Sequence, residues 1–272
     1  MICMNTKFGI LVVEESPEKS FEFARKNCFK HLEIDLKQKH SLIECFSSSR
    51  IRKLKALSKK YSFTLSLHVP YTLNLSEETS FIRKASIDYL KKGILLAAKL
   101  NASHLTLHMG YFISISSLGY KRNEALNRLI SSLKELLPLC KKYKVMLALE
   151  NVNPLPKDSE VFYLGDNVED FDVLFKKLRS KYLKMCLDVG HANINEGAMK
   201  YIKRYKENII AVHVHDNNGK YDEHLPIGKG TIDWIILTKE LKNINCPIIF
   251  ELKKKYLLES KRKLEKILYI SS

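Results

Sequence analysis

Residues 209–230 read IIAVHVHDNNGKYDEHLPIGKG. The apolar run Ile209-Ile210-Ala211-Val212 reads as a buried strand, and the polar stretch His213 to Gly230 follows it directly. That stretch offers His213, His215, Asp216, Asp222, Glu223 and His224. These are imidazoles and carboxylates, the ligands that zinc, manganese and related divalent cations prefer. Gly228 and Gly230 close it and permit a tight backbone path. A surface loop has no structural need for this mixture, so the stretch reads as one wall of a metal site.

The other walls come from the same pattern repeated along the chain. Short apolar runs alternate with longer amphipathic ones. The strand candidates are Phe8–Val13, His31–Leu36, Phe63–His68, His104–His108, Val145–Glu150, Lys184–Asp188, Ile209–Val214 and Ile248–Glu251. Helices are expected from Ser16-Pro17-Glu18, with Ser as cap and Pro at the first position, and then over 49–61, 76–100, 121–143, 168–180, 198–205, 232–241 and 259–270. Strands that are apolar throughout suit a parallel sheet covered on both faces. Eight strand–helix units without a linker predict a single (β/α)8 TIM barrel over residues 1–272. An open doubly wound sheet is the alternative, but no Gly-rich phosphate loop follows the first strand, where FGILVV runs on into EES.

Composition narrows the class. The 272 residues are 45% hydrophobic, enough for a large core. Six cysteines (Cys3, Cys28, Cys45, Cys140, Cys186 and Cys246) form no CxxC pair, and several sit in apolar runs, which suits a reducing compartment. The N-terminus lacks the pattern of a secretion signal and no run is long enough for a membrane span, so a soluble cytoplasmic protein is expected. The net charge of +16 fits either a solvated lysine-rich surface or a polyanionic partner.

Position is more informative than count. Glu33 and Asp35, His68, His108, Glu150, Asp188 and His191, His213, and Glu251 fall at the C-terminal ends of successive strands. In a barrel that end carries the active site. Singly, each has a plain structural alternative. His68 can be a hydrogen-bonded core histidine, Asp188 a helix cap, Glu150 and Glu251 ion-pair partners of lysines, and Asp222 and His224 ordinary loop residues. Together they form a ring of like groups that a bound cation would stabilise. His31 and His104 fall at strand starts and read as structural, His215 is open either way, and Trp234 is expected to pack its helix on the barrel.

The motifs HVPYTLNL (68–75), LHMG (107–110), LEN (149–151), LDVGHAN (187–193), HVHDNNGKYDEHLPIGKGTIDW (213–234) and FELK (250–253) resemble the superfamily of xylose-isomerase-like TIM barrels. That superfamily also contains endonuclease IV, of AP endonuclease family 2, and the resemblance spans essentially the whole chain. Resemblance to the endonuclease implies one metal on His68, His108 and Glu150, a second on Glu150, Asp188, His213 and Glu251, and a third on His191, Asp222 and His224. Resemblance to the sugar isomerases and epimerases implies only the second group, with Glu150 and Glu251 as the catalytic pair. The Asp222-Glu223-His224 triplet and Tyr71 are similar to the endonuclease, whereas the second strand, LEIDL (32–36), and the wording of LDVGHAN and DEHLPIGKGTIDW are similar to the sugar enzymes.

Two activities are therefore expected. The first is isomerisation or epimerisation of a small sugar or sugar phosphate. A divalent metal, most simply Zn2+ with Mn2+ as the alternative, would polarise a carbonyl while the two glutamates move a proton. The second is zinc-dependent phosphodiester hydrolysis at abasic sites in DNA, with up to three ions and the basic surface gripping phosphates. A metal-binding barrel without activity is a third reading, opposed by the intact glutamate pair.

Overall fold

The computed structural model describes residues 7–114, 119–156 and 158–270. Cys3 and the rest of the first six residues, on which the reading of the N-terminus rests, lie outside the described residues. The strands are β1 (Phe8–Val12), β2 (His31–Asp35), β3 (Thr64–His68), β4 (His104–His108), β5 (Tyr111–Ile113), β6 (Met146–Glu150), β7 (Val161–Tyr163), β8 (Leu183–Asp188), β9 (Ile209–Val214) and β10 (Ile248–Phe250). Eight of them, all but β5 and β7, close into a parallel barrel in the order β1-β10-β9-β8-β6-β4-β3-β2. Helices lie between successive barrel strands, so the chain is a (β/α)8 TIM barrel, as its repeat pattern implies.

Alternation along each strand sorts the side chains. Outward positions such as Ile34, Leu67, Leu107, Leu149, Leu187 and Phe250 are fully buried against the helices and form the main core. Leu11, Ala148, Cys186, Ala211 and Ile249 make a small separate apolar cluster. The pairing aligns Asp35 with His68, His108 with Glu150, and Asp188 with His213. This register gathers the polar strand ends into one mouth.

Several boundaries follow their expected chemistry. Ser16 caps the helix Pro17–Lys26, and Ala198–Tyr205 is helical as read. The long helix starts at Ser80 rather than at Ser76. Ser76 is committed elsewhere, because its hydroxyl donates to the carbonyl of Met109 at 3.0 Å and its N–H to Asn74 Oδ1 at 3.0 Å. The last helix begins earlier than expected, at Lys254. There the Lys254 ammonium pairs with Glu15 at 2.6 Å, a contact between the two ends of the chain that local sequence does not announce. The β5–β7 ribbon was also not expected; it is antiparallel and packs Phe112 on Phe162. Among the described residues all five cysteines are free thiols, and no helix is long and apolar enough to cross a membrane.

Candidate metal centre

The loop after β9 is organised by Asp216 rather than by any candidate ligand. Its Oδ2 accepts hydrogen bonds from the Gly228 N–H and the Trp234 indole N–H, both at 2.8 Å, and its Oδ1 from the Asn217 N–H at 3.0 Å. A side chain at Gly230 would place its Cβ 2.2 Å from the Asn217 carbonyl, so only glycine fits that crossing. Trp234 is buried as expected, and its indole also ties the loop to its helix. This frame sets Asp222 and His224 over the barrel mouth.

The nine residues singled out at the strand ends and on this loop come together there. They surround and underlie a cavity of about 420 Å3, whose lining includes His68, His108, His191, Asp222, His224 and Glu251. Asp35 lines it too, but its oxygens are taken up in its own turn by the Lys37 N–H and the Gln38 amide. Asp188 serves twice. Its Oδ1 accepts the His191 N–H at 2.6 Å and caps the short helix Val189–Asn193. Its Oδ2 is buried without a hydrogen-bond partner and lies 3.9 Å from His213 Nδ1. Asn151 holds Asp188 by the backbone, accepting its N–H and donating to its carbonyl, each at 2.8 Å.

The imidazoles share one arrangement. His68 Nδ1 donates to the Val69 carbonyl at 2.8 Å, His191 Nδ1 to the Asn151 carbonyl at 2.9 Å, and His224 Nδ1 to the Glu251 carbonyl at 2.7 Å. Each therefore turns Nε2 toward a carboxylate: His68 toward Glu150 Oε2 at 2.8 Å, and His191 and His224 toward Asp222 Oδ2 at 3.4 and 3.0 Å. His108 Nε2 meets the same Glu150 oxygen at 3.2 Å. His213 is reversed. Its Nε2 pairs with Glu33 Oε2 at 2.5 Å, and its Nδ1 faces Glu150 Oε1 at 3.0 Å and Glu251 Oε2 at 3.1 Å.

A neutral imidazole whose N–H is already used presents a lone pair, and a carboxylate presents another. Such a contact needs either a proton or a cation between the two groups. Without a metal the proton is favoured. Burial lowers the His68 pKa, but Glu150 more than offsets this and takes it up to about 10. Burial likewise opposes protonation of His224, and Asp222 with Glu251 brings it to about 9. Burial raises the Glu150 carboxyl, yet His213, His108 and His68 together hold it well below the usual carboxylate range.

The donor set fits a divalent cation. Among the described residues, ligand atoms of Glu150, Asp188, His213 and Glu251 all lie within 4.8 Å of one another, as do those of His68, Glu150 and His213, and those of His215, Asp222 and His224. The unpaired, buried Asp188 Oδ2 and Glu251 Oε2 are the atoms such a cation would satisfy.

Two residues, Glu33 and His215, matter more at the site than the sequence suggested, where Glu33 was one strand-end acid among several and His215 was open either way. Glu33 is fully buried; besides His213 it accepts from Ser66 and Thr106, at 2.8 and 2.7 Å. His31 bonds Thr64 and Ser66 beneath it, both at 2.8 Å, and is a structural histidine of the barrel floor. His215 is buried between Asp188 and Asp222 and stacked on His224. Strand alternation places Glu33 on the inner face, but its pairing with His213 across the barrel depends on register.

The chain belongs to the xylose isomerase-like TIM barrel family, whose model matches residues 21–268. It is 34% identical over 200 residues to an uncharacterized protein of Methanocaldococcus jannaschii, covering 73% of this chain and 74% of that one. It is 27% identical over 201 residues to a protein of Mycoplasmopsis synoviae named "Probable endonuclease 4", covering 68% of each. A solved structure of a D-tagatose 3-epimerase-like protein superposes with a TM-score of 0.85 at 28% identity, covering 98% of both chains.

Proposed function

We propose that this chain is a divalent-metal-dependent epimerase or isomerase of a small sugar or sugar phosphate. The observation that carries the reading is the placement of Glu150 and Glu251. They reach one nitrogen of His213 from different strand ends, at 3.0 and 3.1 Å, beneath a cavity of about 420 Å3, and so flank a single position. A cavity of that size suits a monosaccharide. The likeness to the D-tagatose 3-epimerase-like structure over the full chain supports the same substrate class.

Glu150, Asp188, His213 and Glu251 would hold the ion. When bound, it would polarise a substrate carbonyl and acidify the neighbouring C–H. Both glutamates are held below the ordinary carboxylate range, so each is ionised and can accept a proton. One glutamate removes the proton from carbon; in an isomerisation the same carboxyl returns it to the adjacent carbon, and in an epimerisation the other glutamate, having taken up a proton from water, delivers it to the opposite face while the first gives its proton back to water. Glu251 is the more open of the two, with its side chain 22% exposed against 1% for Glu150. Leu11, Val69 and Val152 supply an apolar lining that limits water, and Tyr71 and Tyr163 stand with them around the cavity.

The basic surface is not concentrated here. Among the described residues lining the cavity, Lys37 is the one lysine or arginine, and its ammonium sits 4.2 Å from the centre of the Tyr71 ring. A single cation suits one phosphate or hydroxyl cluster better than the backbone of a duplex, whose grip takes many phosphate contacts. The second reading, hydrolysis at abasic DNA sites, is favoured by one observation, the convergence of Asp222, His191 and His224 beside the glutamate pair.

The deciding experiment offers metal-loaded protein a panel of ketoses and their phosphates in deuterated water, with an abasic duplex in parallel. Deuterium incorporation beside the carbonyl, dependent on metal, supports the epimerase. Incision of the duplex without exchange into any sugar would replace it with the nuclease.

A further inference from the structure

Beneath the metal residues the barrel interior is polar, where branched apolar side chains are the usual filling. Strand alternation puts His31 and Glu33 on the inner face of β2, and Thr64 and Ser66 beside them on β3. The pairing sets His31 against Thr64 and Glu33 against Ser66. His31, Glu33 and Ser66 are fully buried. Thr64 is exposed at the start of its strand, on the face opposite the mouth. A Cβ on Gly9 would come within 2.9 Å of the His31 Cβ and Cδ2, so β1 leaves room for this ring only by having a glycine there.

These side chains form one hydrogen-bonded column. Thr64 Oγ1 lies 2.8 Å from His31 Nδ1, His31 Nε2 lies 2.8 Å from Ser66 Oγ, and Ser66 Oγ lies 2.8 Å from Glu33 Oε1. Glu33 Oε2 then meets His213 Nε2 at 2.5 Å. A hydroxyl has one proton to donate, and so has a neutral imidazole. Ser66 gives its proton to Glu33, so it accepts from His31 Nε2–H, and His31 Nδ1 in turn accepts from Thr64. Burial, with the His104 ring stacked beside it at 6.1 Å, takes the His31 pKa down to about 3 and keeps the ring neutral. The donors therefore all point along the column toward Glu33, where Thr106 adds another at 2.7 Å.

We propose that His31 is a positioning residue for the metal ligand His213, acting through Ser66 and Glu33 from the face of the barrel opposite the mouth. The direction of the column decides which nitrogen of His213 is left for an ion. A proton on His31 Nδ1 would reverse it, because Nε2 would then take the Ser66 proton and Glu33 Oε1 would lose a donor. His104 is the internal comparison. Its ring is buried at the same level and parallel to that of His31 within 5°. Yet its Nδ1 bonds Ser103, and its Nε2, 3.5 Å from Glu33 Oε1, makes no hydrogen bond. It stands beside the column without being a link in it. The inference rests on the metal site of the proposed function, and not on the reaction carried out there.

The test records nitrogen NMR spectra of the histidine rings of the whole chain at neutral pH, before and after addition of zinc chloride. In the loaded wild type His31 should be neutral with its proton on Nε2, and His213 should keep its Nε2 proton while Nδ1 shifts with the ion. A His31 proton on Nδ1 overturns the proposal. Zinc affinity is then read by competition with a chelator. His31→Phe keeps a ring but breaks two links, and should weaken zinc about tenfold, the lower end for groups that support a metal ligand, and move the His213 Nε2 signal. His31→Gln can donate to Ser66 and accept from Thr64, and should restore both readouts. His104→Phe, which loses a buried imidazole at the same level, should alter neither. Wild-type affinity in His31→Phe, or an equal loss in His104→Phe, overturns the proposal. Should His31→Phe fail to fold, the wild-type spectra and His31→Gln decide, and a tenfold loss in His31→Gln counts against it. Zinc that leaves the wild-type His213 signals unmoved removes the metal site itself, and the proposal with it; zinc that moves them while His31 behaves like His104 removes the proposal alone.

Discussion

Glu33 and His213 meet at 2.5 Å inside the barrel, both fully buried, and this pairing fixes which nitrogen of His213 faces the mouth. Glu33 holds Nε2, so Nδ1 is the nitrogen left to a metal, and in the metal-free protein it faces Glu150 and Glu251. A carboxylate behind a ligating imidazole orients it and raises its basicity. Glu33→Gln keeps the shape but removes the charge. It should weaken metal binding by about 10- to 100-fold, read by competition with a chelator, while Asp35→Asn, outside this pairing, changes affinity little. Equal affinity for wild type and Glu33→Gln would remove Glu33 from the metal's support.

Glu251→Gln should leave the fold intact and remove one of the two proton carriers. A loss of about 10²- to 10⁴-fold in deuterium exchange is expected for a general base. Exchange at the wild-type rate in the variant would refute the glutamate-pair mechanism.

Protons and metal compete for the same imidazoles. For His68 and His224, pKa values of about 10 and about 9 lie above the ordinary histidine range. The stability they give the metal-free protein is complete below about pH 6.5 and fades as pH rises through 9 to 10. Metal affinity moves the opposite way, rising with pH over the same interval as the protons leave. Calorimetry in buffers of different ionisation enthalpy should show proton release on zinc binding at pH 7. Release near zero would mean that the imidazoles are already deprotonated.

Lys37→Ala separates the two substrate classes. For a phosphorylated sugar, removing the ammonium that lines the cavity should raise KM by several-fold or more while kcat holds, because the contact is made equally in ground and transition states. For a neutral sugar the KM should barely change.

Trp234→Phe keeps the ring in place and deletes the indole N–H that Asp216 accepts. Leaving that carboxylate oxygen short of a partner should cost about 1–3 kcal/mol, seen in denaturant melts. It should also increase proteolysis within 216–230.

The barrel was legible from its repeat, because each strand's apolar run and polar end recur in step around the mouth. The nine residues that surround that mouth were legible for the same reason, since strand ends share a level once the sheet closes. What was not legible depends on register and close approach. Glu33 looked like one more strand-end acid, and only the fold shows it pointing at His213 from across the barrel. His215 was ambiguous by strand alternation, and its burial follows from a glycine on a different element. The displaced helix start at Ser80 has a similar origin, because Ser76 was drawn to Met109, beyond the reach of any local pattern.

Asp188 ties the chemistry of the mouth to the backbone beside it. One of its oxygens receives the His191 N–H and the other faces the mouth. Drawing charge toward the second oxygen weakens the first as an acceptor, so the His191 amide becomes a built-in gauge of occupancy. Its hydrogen-exchange rate and its nitrogen chemical shift would respond to an arriving ion without any change in fold, giving an optical-label-free readout for screening metals and sugars alike.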